Sequence, residues 1–146
     1  MNVRLRHRAG GGRRSLWPTA ALVGYALLLT AVAFWPSPVD RGIDPALESA
    51  LAWLHAHGLP GMFDYAFVER SANVVLFVPL GLFVALLLPR RRWWIAALTG
   101  LAVSGAIETA QLLLLPARFA TLDDVAMNTT GALLGAAASL LLLRRR

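Results

Sequence analysis

The sequence predicts an all-α fold: an integral membrane bundle of four transmembrane helices, with a short extracytoplasmic helix between the first two. Three observations predict it. Of the 146 residues, 58% are hydrophobic and only 15% charged, with a mean hydropathy of +0.61, whereas soluble domains sit near a quarter charged. Four apolar runs approach the roughly 20 residues needed to cross a hydrocarbon core. The charges between those runs are sorted by sign.

The sorting sets the orientation. All basic residues are arginines, and most lie in three clusters: Arg4, Arg6, Arg8, Arg13 and Arg14; Arg90, Arg91 and Arg92; and Arg144, Arg145 and Arg146. Each cluster abuts an apolar run and contains no acid, while seven of the eight acids lie in the other two connections. The positive-inside rule then puts both termini and the central turn in the cytoplasm. The same placement argues against nucleic acid as the partner of this net charge of +6, because the arginines flank spans instead of forming one binding face. With no cysteine, disulfides, thiolate catalysis and cysteine-ligated metals are excluded.

In chain order, residues 1–16 read as a cytoplasmic arginine-rich arm, 17–143 as one four-span membrane domain, and 144–146 as a cytoplasmic arginine tail. The first span is expected from Trp17 to Trp35. The same start resembles a cleaved signal peptide with "AVA" at Ala31–Ala33, but the run is long enough to span and fits an anchor. Residues 37–71 form the one substantial outer loop. Within it Asp44 as N-cap, Pro45 at the first helical position and Gly58 past the end punctuate a short helix, whose Leu47, Leu51 and Leu54 share a face. It would lie on the outer membrane surface or cover the bundle. His55 and His57 read as loop residues, and no metal or cofactor is expected. The second span is expected over Ala72–Leu88, the third from Trp93 to Leu115, and the fourth from Val125 to Leu143. Only Pro89 and three arginines join the second to the third, so the pair forms a tight hairpin.

Glu108 is the one acid inside a span. A charge deep in a bilayer costs about 2.5–3.5 kcal/mol on insertion scales, so it is expected to face a partner or a cavity. Counting from Trp93 at 1.5 Å per residue places it about 22 Å along the third span, in the outer half. Gln111 follows one turn further out, and Ser104 lies one turn below. Asp124, Asn128, Gly131 and Gly135 track one stripe down the fourth helix, polar above and small below. Gly131 and Gly135 form a G-x-x-x-G pair that lets another helix approach closely. Asn73 opens the second span, Phe77, Leu80 and Gly81 continue its face, and Pro79 is expected to perturb the helix there. Asn73, Glu108, Gln111, Asp124 and Asn128, with Arg118 and Asp123 on the short connection, are therefore expected to converge on the outer side. A structural reading stands beside the functional one: amides and carboxylates between membrane helices act as polar glue, and Asp123 or Asp124 would N-cap the fourth helix.

These stretches, "ERSANVVLFVPLG" (69–81) and "ETAQLLLLPARFATLDDVAMNTTGALLG" (108–135), resemble the VanZ-like family of small bacterial membrane proteins. The family pattern runs N-x-x-L-F-x-P-L-G, then E-x-x-Q, then R, then D-x-x-x-N-x-x-G-x-x-x-G. Here it matches Asn73, Leu76, Phe77, Pro79, Leu80 and Gly81; Glu108 and Gln111; Arg118; and Asp124, Asn128, Gly131 and Gly135. Many members also carry a lysine and a histidine near the start of the second span; this chain has no lysine, and His57 is well upstream. The resemblance implies a multi-pass protein of the bacterial cell (inner) membrane and an envelope role tied to reduced susceptibility to the glycopeptide teicoplanin.

Three functions compete. The first is a non-enzymatic envelope protein whose outward polar site binds a lipid headgroup or a lipid-linked cell-wall precursor, with membrane lipids as partners and a homo-oligomer as an option. The second is a small intramembrane enzyme on a lipid-linked substrate, with Glu108 and Asp124 as an acid/base pair and Arg118 holding a phosphate. It lacks an obvious nucleophile. The third is a transporter or proton path through Glu108, for which four spans without an inverted repeat make a poor monomeric pore, an objection that an oligomer would evade.

Overall fold

The structure, a computed structural model, describes residues 16–35, 44–115 and 121–144. Among them every regular element is helical: α1 (Trp17–Ala33), α2 (Asp44–Ala56), α3 (Tyr65–Leu87), a 3₁₀ turn (Arg90–Arg92), α4 (Ile95–Leu114) and α5 (Leu122–Arg144). The helices α3, α4 and α5 are each long and apolar enough to cross a membrane, while α1, at 17 residues, is shorter.

Local chemistry sets the helix ends. Gly58 takes φ 100°, a conformation open to glycine at little cost. It closes α2 with paired bonds from Leu59 N–H to Leu54 O (3.0 Å) and from Gly58 N–H to His55 O (3.1 Å), which satisfy two terminal carbonyls. Asp44 begins α2, but its side chain lies outside the described residues. The largest departure from the sequence reading is the start of α3. The segment expected to be loop through residue 71 is helical from Tyr65. Asp64, in an extended conformation, accepts a 2.8 Å hydrogen bond from Phe67 N–H, and Phe63 meets Phe67 edge-on at 4.9 Å. The cap and the aromatic pair start the helix about two turns before Asn73. The helix then runs through Pro79 without a break.

The tightest interface is between α3 and α5, followed by α4 with α5 and α1 with α3. It is a parallel pair: Gly131 lies against Val74 and Gly135 against Val78, so both helices advance together. A methyl group at Gly131 would stand 2.0 Å from Val74 O, one at Gly135 1.9 Å from Val78 O, and one at Gly81 1.9 Å from Ala132 O. Such backbone proximity brings Cα–H groups against carbonyl oxygens and maximises dispersion between helices that gain no hydrophobic drive from lipid. The glycines expected to allow close packing do so. A further one, Gly100 of α4, faces Ala132, whose Cβ would lie 2.2 Å from an added methyl.

Ala132 sits at the crossing of the three helices, fully buried with Phe77 and Leu80 of α3 and Leu29 of α1. Nearer the arginine turn, Ala85, Ala96 and Ala136 pack together beneath Trp93. Small side chains at the centre permit the short interhelical distances. Helix α1 docks through Leu29 and Tyr25; the tyrosine ring lies edge-on to Phe83 at 6.2 Å and its hydroxyl donates to Leu76 O.

Candidate functional site

The polar side chains that hydrogen-bond between α3, α4 and α5 gather at one end of the bundle, opposite the arginine turn. This follows from the helix directions. The chain enters the polar end at the start of α3, leaves it toward Arg90–Arg92, returns along α4 and departs again along α5.

The layer is built from interhelical hydrogen bonds. At the rim, Asn73 Nδ2 of α3 donates to Asp124 Oδ1 of α5 at 2.6 Å. The other oxygen, Asp124 Oδ2, accepts from Thr121 Oγ1 at 2.7 Å, while Asp124 N–H donates back to Thr121 Oγ1 at 3.1 Å. Thr121, directly before α5, is therefore the N-cap, and the reading of Asp123 or Asp124 in that role is corrected. Asp124 occupies the third helical position of the reciprocal arrangement, where its side chain reaches the capping hydroxyl, while no such bond holds Asp123. Asp123 points elsewhere, pairing with Arg70 at 3.3 Å with both side chains more than half exposed. Such a pair is worth no more than about 1 kcal/mol.

Deeper in, Asn128 is 5% exposed and Ser104 fully buried, and Asn128 Nδ2 donates to Ser104 Oγ at 2.9 Å. A buried amide donates twice and accepts through its oxygen. Among the described residues Asn128 Oδ1 accepts no hydrogen bond. One turn above Ser104 on α4 lies Glu108, half-buried, with its Oε2 shielded from solvent. Gln111, at 6% exposure, turns to α1 and donates from Nε2 to Ala33 O at 2.8 Å. Ala33 ends α1, so its carbonyl has no later turn to satisfy it. Gln111 supplies that donor and ties α1 to α4.

Of the expected residues, Asn73, Asp124, Asn128, Glu108 and Gln111 thus belong to one polar end, and Asp123 to the surface beside it. Arg118 lies in 116–120, outside the described residues, as do the arm before Leu16 and Arg145–Arg146. Ser104 and Thr121 are the members that sequence reasoning did not assign. Thr121 had a local signal, three residues before an acid at a helix start. Ser104 had only its position one turn below Glu108. Outside the layer, His57 Nδ1 lies 2.7 Å from Trp53 O and His55 Nε2 lies 3.2 Å from Phe63 O, so both rings are engaged with backbone.

Among the described residues, a helical bundle with three helices long and apolar enough to cross a membrane, and an interhelical polar layer at one end, defines the class, a membrane protein. Comparison with protein families matches residues 22–143 to VanZ/LLP1, and the chain belongs to that family. No curated protein and no solved structure matches it.

Proposed function

We propose that the protein acts at the bacterial cell envelope as a four-span membrane protein, with α1 as the fourth span, both termini cytoplasmic and α2 on the outer side. The polar end then faces outward and holds a lipid headgroup or the headgroup of a lipid-linked cell-wall precursor, altering susceptibility to glycopeptides of the teicoplanin type. The observation that carries this reading is the joining of Asn73, Ser104, Asp124 and Asn128 by hydrogen bonds across three helices at the end away from the arginines, with Glu108 one turn from Ser104. Glue alone would not require the polar groups to collect at one face. At 17 residues, α1 is at the short limit of a span.

The catalytic alternative has less support. Both oxygens of Asp124 already accept hydrogen bonds from Asn73 and Thr121, which leaves that carboxylate poorly placed as a mobile acid or base, and Ser104 is fully buried.

The test is teicoplanin susceptibility of cells expressing Glu108→Gln, Arg118→Ala and Asn128→Ala at matched membrane levels. Loss of the wild-type phenotype in Glu108→Gln and Arg118→Ala supports the reading. Wild-type phenotypes in all three sink it. The absence of native cysteine also makes single-cysteine labelling clean: Ser49→Cys should react with an impermeant maleimide in intact cells and Arg91→Cys only after lysis.

A further inference from the structure

At the opposite end from the polar layer, a groove of about 470 Å³ runs along α5, lined by Leu134, Ala137, Ala138, Leu140 and Leu141, with Arg90 of the turn at its edge. Leu134 and Leu141 flank the alanines, which give the trough its depth. From Leu134 to Leu141 is seven residues, about 10 Å at 1.5 Å per residue. That is about a third of a 30 Å hydrocarbon core, the upper part of one lipid chain.

The electrostatics of this end are one-sided. Arg90, Arg91 and Arg92 stand beside it, Arg144 ends α5 and is followed in the sequence by Arg145 and Arg146, and neither 80–107 nor 125–146 contains an acid. Among the described residues none of Arg90, Arg91 and Arg92 forms an ion pair. No carboxylate among the described residues is therefore their counter-charge, and in a bilayer an available anion joined to an apolar chain is a phospholipid. A second copy in the same membrane orientation would bring its own arginine turn level with this one, which like-charge repulsion disfavours.

We propose that this groove is a binding site for an anionic glycerophospholipid, one acyl chain lying along Leu134–Leu141 and the phosphate at Arg90. Arginine suits this contact because its guanidinium pairs two donors with two phosphate oxygens. The site lies at the other end of the molecule from the proposed outward site and does not depend on it.

The experiment is native mass spectrometry of the full-length protein released from mixed micelles containing equal phosphatidylglycerol and phosphatidylcholine, comparing wild type with Arg90→Ala, Ala138→Leu and Arg92→Ala. Wild type should retain phosphatidylglycerol in preference. Arg90→Ala should reduce that retention about fivefold, the worth of one arginine near a lipid surface. Ala138→Leu, which fills the trough without changing charge, should reduce it comparably, and Arg92→Ala should retain the lipid. Circular dichroism confirms that each variant is folded. Equal losses in Arg90→Ala and Arg92→Ala would mean diffuse attraction and overturn the proposal. So would unchanged retention in Ala138→Leu, displacement of the lipid by free glycerol 3-phosphate, or a dimer mass in place of the lipid adduct.

Discussion

Replacing Gly135 by alanine tests the packing on which the polar end depends. The new methyl would lie 1.9 Å from Val78 O, 2.8 Å from Leu82 N and 2.9 Å from Val78 C. All three are backbone atoms of α3, so no side-chain rotation relieves the contact. Ordinary van der Waals contact begins at 3.4 Å, so α3 and α5 must move apart locally by about 1.5 Å, the difference between those distances. Overpacking of this kind costs about 1–3 kcal/mol, and a value near 2 lowers the folded-to-unfolded ratio about 30-fold. The measurement is reversible unfolding in mixed detergent, followed by circular dichroism, against Gly105→Ala. Gly105 lies within a neighbouring helix and its added methyl would meet nothing within 4 Å. Both variants gain the same methyl and the same helix propensity, so their difference isolates the clash. If Gly135→Ala unfolds at the same midpoint as Gly105→Ala, the close α3–α5 approach is not a determinant of stability and the reasoning fails.

Other outcomes follow from the hydrogen bonds. Gln111→Leu removes the donor to Ala33 O and should raise amide exchange at the end of α1 while leaving the centre of α5 unchanged. Thr121→Val deletes the cap hydroxyl that Asp124 N–H and Oδ2 both use; about 1 kcal/mol of stability should be lost, with faster exchange confined to the first turn of α5. Arg70→Ala breaks an exposed ion pair and should shift the unfolding free energy by less than about 1 kcal/mol. Asn73→Leu, which removes the amide bonded to Asp124, should cost about 1 kcal/mol in the same unfolding assay, in line with hydrogen bonds between membrane helices.

The helices themselves were legible because a hydrocarbon slab imposes a length, and apolar runs of that length stand out. The start of α3 was hidden by the same criterion: Tyr65 to Ser71 includes Glu69 and Arg70, which a hydropathy window excludes, although Asp64 before an aromatic turn is a local capping signal. The stripe of Asp124, Asn128, Gly131 and Gly135 was readable because one helix's periodicity fixes which residues share a face. What a stripe meets is a different question. That Asn128 reaches Ser104 and that Gly100 meets Ala132 depends on the relative height of α4 and α5, which packing between the helices decides and no single-helix pattern records. The place of Asp123 in the chain puts it next to the site, but one residue of helical rotation turns it from Asn73 toward Arg70.

The parallel pairing of α3 with α5 also sets an order of assembly. The residues that meet most closely are far apart in the chain, with Asn73 and Asp124 separated by 51 positions, and the hairpin of α3 and α4 emerges from the ribosome first. Until α5 arrives, Asn73 and the backbone carbonyls of Val74 and Val78 have no glycine face to meet. A chain stalled before residue 122 would hold Asn73 without its Asp124 acceptor and leave the closest face of α3 uncovered.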